Sequence, residues 1–189
     1  MCDKKEKILN AAIELFSEHG VGVPTAKIAK NAGVSNGTLF NYFATKQELI
    51  DAMYLHIKYI ISQAIINDID FSADVKEIFY NLWRGYIGWA CTNPRDYTVI
   101  DLLNTSQILS PEVITKGRDF FSDINDAAIR AIDEKKFVDL PCDYICEVAG
   151  SLMNATINYI QKNELTGAEY DKAIDRSYNI YCHGVYIEK

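Results

Sequence analysis

The stretch TAKIAKNAGVSNGTLFNYFATKQEL, Thr25 to Leu49, decides how this chain is read. Ile28, Ala29 and Ala32 give residues 26–32 one apolar face at helical spacing, with Thr25 placed to cap that helix. Gly33 stops it in a tight turn, and Ser35 caps a short helix over 36–43. Leu39 and Phe43 stand four apart and turn inward as anchors. Thr45 and Glu48 then form a Thr-x-x-Glu capping box that opens a long helix to about residue 66.

Two short helices joined by a glycine turn have the geometry of a helix-turn-helix. The supporting helix lies just upstream, at 4–19, where Ile8, Ala11, Ala12, Leu15 and Phe16 follow the i, i+3, i+4, i+7, i+8 pattern. In that motif the second helix enters the DNA major groove with its first residues near the base edges. Its front is therefore expected to be short and polar, as Ser35, Asn36, Gly37 and Thr38 are. Gly37 lets the backbone approach a phosphate, and Ser35 and Thr38 offer hydroxyls. Asn41 and Tyr42 face outward, while Thr25, Lys27 and Lys46 are placed to reach neighbouring phosphates.

This segment resembles the helix-turn-helix of TetR-type (TetR/AcrR) bacterial transcriptional regulators. The resemblance is carried by a first helix ending in LFSEHG, by IAKNAGVS, by GTLFNYF and by the Lys-x-Glu-Leu that follows, and it covers residues 4 to about 60. It implies a homodimer with one DNA-binding head per subunit and a palindromic double-stranded operator. It also implies that Thr25, Ser35, Thr38, Tyr42 and Lys46 contact phosphate, and that Asn36, Gly37 and Asn41 face the groove. The chain so divides into a head at 1–46, a connecting helix at 46–66 and a ligand-binding and dimerisation body at 47–189. One residue departs from the family: Phe40 stands where Tyr is usual. Without the hydroxyl only an apolar role remains, as against a thymine methyl.

Beyond residue 66 helices continue at 74–91, 95–104, 111–136, 141–162 and 166–187, nine in all, and strand signals are scarce. The expected fold is all-α, with Ser110-Pro111 starting one helix and Thr166 and Glu169 capping another. Aromatic residues gather around the fifth helix. Trp83, Tyr86, Trp89, Tyr97, Phe120 and Phe121 are the candidate lining of a pocket for an apolar or aromatic small molecule. In 141–162 the residues Gly150, Ser151, Asn154 and Asn158 form a small, polar second face. Tyr170, Ile174, Tyr178 and Tyr181 share a face of the last helix. Together these two faces are the expected dimer contact.

Composition fits a globular protein: 189 residues, 49% hydrophobic, 24% charged, net charge -7. The first 50 residues carry six Lys against five acids, and the remainder carries the whole acidic excess. Five cysteines without paired spacing indicate reduced thiols and a cytoplasmic protein with no membrane span. Cys142 and Cys146 lie four apart, but no second ligand pair completes a metal site, and no cofactor is expected. Nucleophile triads and phosphate-cradling loops are missing too, so an enzyme is not expected. The sequence points to a ligand-responsive repressor. The rival readings are a helical protein-interaction module and a thiol-based redox-sensing regulator.

Overall fold

A computed structural model describes residues 3–187. Ten α-helices follow one another: α1 Lys4–His19, α2 Thr25–Asn31, α3 Asn36–Tyr42, α4 Lys46–Ile65, α5 Val75–Thr92, α6 Pro94–Thr105, α7 Pro111–Asp119, α8 Ser122–Asp133, α9 Cys142–Lys162 and α10 Gly167–Val185. Among the described residues there is no strand, only an isolated antiparallel bridge between Phe137 and Tyr186. The all-α expectation holds, with ten helices where nine are read from sequence. The extra one arises because 111–136 is broken at Phe120 and Phe121, neither of which belongs to α7 or α8. Two compact units meet in sequence at that break.

One unit holds the chain up to Ile60 together with Asn93–Phe120. Asp3 caps α1 by accepting from the Lys5 N–H, and Gly20, at φ 73°, ends it. The buried stripe of α1 runs from Ile8 to Phe16, and α1 packs on α2 and α6. Asn31 donates to the Glu14 carboxylate, tying α2 to α1. The N-terminal part of α4 buries Leu49, Ile50, Met53, Tyr54 and Ile57. Residues 46–68 are long and apolar enough to cross a membrane by composition. That apolar stripe is spent on the protein's own core. Ser110 caps α7 through the Val113 N–H with Pro111 in the first helical position, as its sequence predicts.

Gly117 of α7 has a definite packing reason. A Cβ there would lie 2.5 Å from Tyr54 Cε1 and 3.0 Å from its hydroxyl oxygen. Tyr54 is 3% exposed, so its ring has nowhere to go. Gly→Ala inside a helix ordinarily gains about 1 kcal/mol. Gly117→Ala is instead expected to cost about 1–3 kcal/mol by overpacking. In a Tyr54→Ala background the same change becomes stabilising. Thermal melts of the four proteins test this, and a gain from Gly117→Ala in the wild-type background would refute it.

The other unit holds Ile61–Thr92 and the chain from Phe121 on. Helices α5, α8, α9 and α10 pack together around an aromatic centre. Trp83 lies 5.1 Å from Tyr181 and 5.7 Å from Tyr178 between ring centroids, and its indole N–H donates to Ser177 Oγ at 2.8 Å. Phe79 meets Phe137 edge-on, and Phe137 meets Tyr186. The chain after α10 is held by Ile187 N–H donating to Lys136 O and Val138 N–H donating to Val185 O. The capping box expected at Thr166 does not form. The Thr166 side chain makes no cap bond, and the Glu169 carboxylate accepts from Lys172 Nζ at 2.7 Å instead.

Candidate nucleic-acid interface

The turn between α2 and α3 is made by backbone. Gly33 sits at φ 67°, a region that favours glycine, while Val34 N–H donates to Ala29 O at 3.0 Å. Ser35 then caps α3: its Oγ accepts from the Thr38 N–H at 3.0 Å and lies 2.8 Å from Thr38 Oγ1. Leu39 is fully buried and Phe43 nearly so, which fixes α3 by one side. Its other side is left outward: Asn36, Gly37, Phe40, Asn41 and Tyr42 are all exposed. Among the described residues, the side chains of Asn36, Asn41 and Tyr42 make no hydrogen bond within the protein.

Thr25 departs from its expected role. The helix begins on it, Pro24 occupies the cap position, and the Lys27 N–H donates to Pro24 O. The Thr25 hydroxyl is therefore not consumed by capping. Lys27 and Lys30 are exposed on the same short helix. Lys46 is half-buried and has an internal task that the sequence did not disclose. Its ammonium donates to Val21 O at 2.6 Å and stands 5.8 Å over the Phe16 ring. Only its remaining N–H groups are available to a phosphate. Thr45 caps α4, its Oγ1 accepting from the Glu48 N–H, while the Glu48 carboxylate accepts from the N–H of Ala44, one residue before the reciprocal partner a capping box would use.

Gly37 is not explained by the fold. It has no positive φ, and a Cβ on it would meet only Ser35 Oγ, at an ordinary 3.8 Å. A glycine in a helix costs about 1 kcal/mol against alanine. Nothing inside the protein asks for that cost.

The six residues named for a small-molecule pocket belong to both units. Tyr97 and Phe120 belong to one unit, and Trp83, Tyr86, Trp89 and Phe121 to the other. Trp83, Trp89 and Tyr97 are buried, Tyr86 stacks on Trp89 at 6.2 Å, and Phe120 meets Tyr59 edge-on. None of the six lines either of two depressions on the second unit. The first, about 360 Å³, is an open groove bounded by Leu152, Ala155, Tyr159, Arg176 and Ile180 among others. The second, about 190 Å³, lies beside Phe71, Ile78, Arg130 and Ala131.

The expected dimer residues separate into two sets. On α9, Ser151 and Asn158 are exposed and Gly150 and Asn154 half-exposed. On α10, Tyr170 is half-buried, but Ile174, Tyr178 and Tyr181 point into the protein's own core. Those three are corrected: all are buried within the protein, where Tyr178 meets Tyr80 and Trp83 of α5 and Tyr181 meets Trp83. The outward apolar side of the pair is Tyr159 and Ile180, 57% and 62% exposed. Cys142 donates to Asn125 Oδ1, and burial pushes the Cys182 thiol up, away from the reactive thiolate.

Residues 8–53 match the family model described as bacterial regulatory proteins, tetR family. Over 85 residues the chain is 32% identical to LuxR of Vibrio harveyi, an HTH-type transcriptional regulator, covering 44% of this chain and 42% of that one. The chain thus spans less than half the length of that relative. A protein of Shewanella sp. PV-4 assigned to the tetR family has the same fold at TM-score 0.91 and 23% identity, covering 98% of this chain and all of that one. LfrR of Mycobacterium smegmatis, solved in complex with proflavine, superposes at TM-score 0.67 with 17% identity, covering 98% and 99%.

Proposed function

We propose that this chain, a TetR-type protein in its N-terminal unit and in its fold, is a DNA-binding transcriptional regulator that acts as a ligand-released repressor. The observation that carries the reading is the outward side of α3. Two buried anchors hold it, its amides and phenol are unengaged, and it lies inside the segment matched by the family model. Asn36 and Asn41 are the base-reading candidates, because an amide can pair with adenine N6 and N7. Thr25, Lys27, Ser35, Thr38, Tyr42 and the spare N–H groups of Lys46 position the duplex through its phosphates.

Homodimerisation would set two such heads on successive turns of a palindromic operator. Tyr159, Ile180 and the open groove beside them support a second copy docking on α9 and α10. So does Gly150, where a Cβ would meet nothing within 4 Å. An apolar or aromatic effector is supported by the aromatic content of α5 and by the proflavine complex of LfrR. Such a ligand can displace the operator only by its difference in affinity for the two states.

The test is a gel-shift with the DNA flanking the chain's own gene, repeated across salt concentrations, with the oligomeric state measured in parallel. Affinity should fall steeply with salt. Lys27→Ala should weaken binding on every sequence alike and reduce the salt slope by about one. Lys46→Ala should do the same and also lower the melting temperature, because Val21 O loses its donor. A monomer that retards no duplex at low salt would end the proposal.

A further inference from the structure

We infer that the second unit carries a site for a trivalent arsenic hydroxide, closed by the thiols of Cys142 and Cys146 and by the hydroxyl of Tyr181. The inference is independent of the DNA-binding reading. Cys142 is the first residue of α9 and Cys146 lies four residues on, so the two share one face of the helix with Cβ atoms about 5–6 Å apart. Both are thiols; Cys146 is exposed and Cys142 half-exposed, so an incoming molecule can reach the pair. Cys142 is also oriented, since its S–H donates to Asn125 Oδ1 at 3.4 Å. The independent observation is Tyr181. It is 1% exposed, and among the described residues its hydroxyl has no hydrogen-bond partner. A buried hydroxyl left without a partner destabilises a fold and asks for an explanation. Burial, then Tyr186, then the thiols Cys146, Cys182 and Cys142 push this phenol up from its ordinary pKa, which sets it among the sulfurs.

The donor set selects the ligand. Thiols are soft ligands and prefer soft acceptors to magnesium or calcium. Among the described residues no three His, Cys, Asp or Glu side chains are grouped to hold a metal ion, so the four-ligand set of a structural zinc is not on offer. Cys182 follows Tyr181 on α10, but burial pushes its thiol up and keeps it out of the bonding pair. Two sulfurs and one O–H donor suit As(OH)3. At each thiol an As–S bond forms and an As–O bond breaks, and the thiol proton leaves with that oxygen as water. Two thiols thus give a dithiolate that keeps one As–OH, with two waters released. Arsenic stays trivalent and no electron is exchanged. The oxygen that arsenic keeps is the acceptor for the Tyr181 O–H.

The experiment titrates arsenite into the full chain, kept reduced by a phosphine. Binding is followed by native mass spectrometry and by tryptophan fluorescence, because the Trp83 ring lies 5.1 Å from that of Tyr181. Each chain should gain one As(OH)3 less two waters. Cys142→Ser and Cys146→Ser should each weaken binding about a hundredfold or more, because the second sulfur of a chelate binds intramolecularly. Neither position is buried, so both variants should melt with the wild type. Cys91→Ser should change nothing. Tyr181→Phe should keep the stoichiometry and weaken binding about three- to tenfold, the worth of one hydrogen bond. It should also fold at least as stably as the wild type, since it removes a hydroxyl that has no partner. The inference is overturned if no arsenic adds at micromolar concentration, if either serine variant binds as the wild type does, or if Tyr181→Phe leaves the affinity unchanged.

Discussion

Trp83→Ala is expected to cost about 3–5 kcal/mol in stability, the range for deleting a buried large aromatic side chain. Trp83 is 1% exposed and fills the space between α5 and α10. Removing it leaves a void bordered by Tyr178 and Tyr181, whose rings are held by their own contacts and cannot collapse into it. Trp83→Phe separates the two parts of the cost. The phenyl ring keeps most of the packing, but Ser177 Oγ loses the indole N–H at 2.8 Å while still donating to Ile174 O. A buried acceptor left unsatisfied costs about 1–3 kcal/mol. Trp83→Phe combined with Ser177→Ala should recover part of that loss. Chemical denaturation of the four proteins measures it. A Trp83→Ala loss below about 1 kcal/mol, in the range of ordinary surface changes, would mean that this aromatic centre does not hold the unit together.

Lys58→Met is expected to stabilise the protein, and to do so less as pH rises. Burial first, and the Arg118 charge second, push the Lys58 ammonium down to about 8 from its ordinary value of 10.5. Below pH 8 the proton is bound in both folded and unfolded chains, so the folded state carries the full cost of the disfavoured charge. Between about 8 and 10.5 the folded protein has released the proton and the unfolded chain has not. The unfolded state then binds more protons, so the Lys58 contribution to stability rises with pH through that window. Methionine removes the charge at similar length, so the gain near pH 7 should approach about 3 kcal/mol, less whatever the lysine's own contacts supply. By pH 10.5 the gain should vanish. Burial also pushes the Tyr54 phenol up, with Arg118 opposing, but that effect is common to both proteins and cancels in the difference. Melting temperatures of variant and wild type at pH 7 and pH 9.5 decide the matter. A difference independent of pH would show that Lys58 keeps an ordinary affinity for its proton.

Much of the molecule is legible along the chain because the signals are local. The period of Ile8, Ala12 and Phe16, the glycine at 20 and the capping residues at 35, 45 and 110 act within a few residues of themselves. They place the helix-turn-helix with almost no error in its boundaries. The break at Phe120–Phe121 is not local in this way. Helical periodicity runs through it, and neither proline nor glycine marks it. Lys46 was legible as a surface cation only, because Val21 and Phe16 are 25 and 30 residues away in sequence.

The sequence by itself determined that this chain is all-helical, that a short polar helix at 36–42 follows a glycine turn, and that Leu39 and Phe43 are its anchors. Hydrophobic period and cap chemistry are properties of neighbouring residues, and they need no partner to be read. Tertiary structure alone decided which side of α10 is inward, because that helix offers apolar residues on both. Tyr178 and Tyr181 turn in because Trp83 and Tyr186 wait for them there, and Ile180 is left outside. Which apolar face is buried depends on the shape of the helix packed against it, and that helix lies about 90 residues away in the chain.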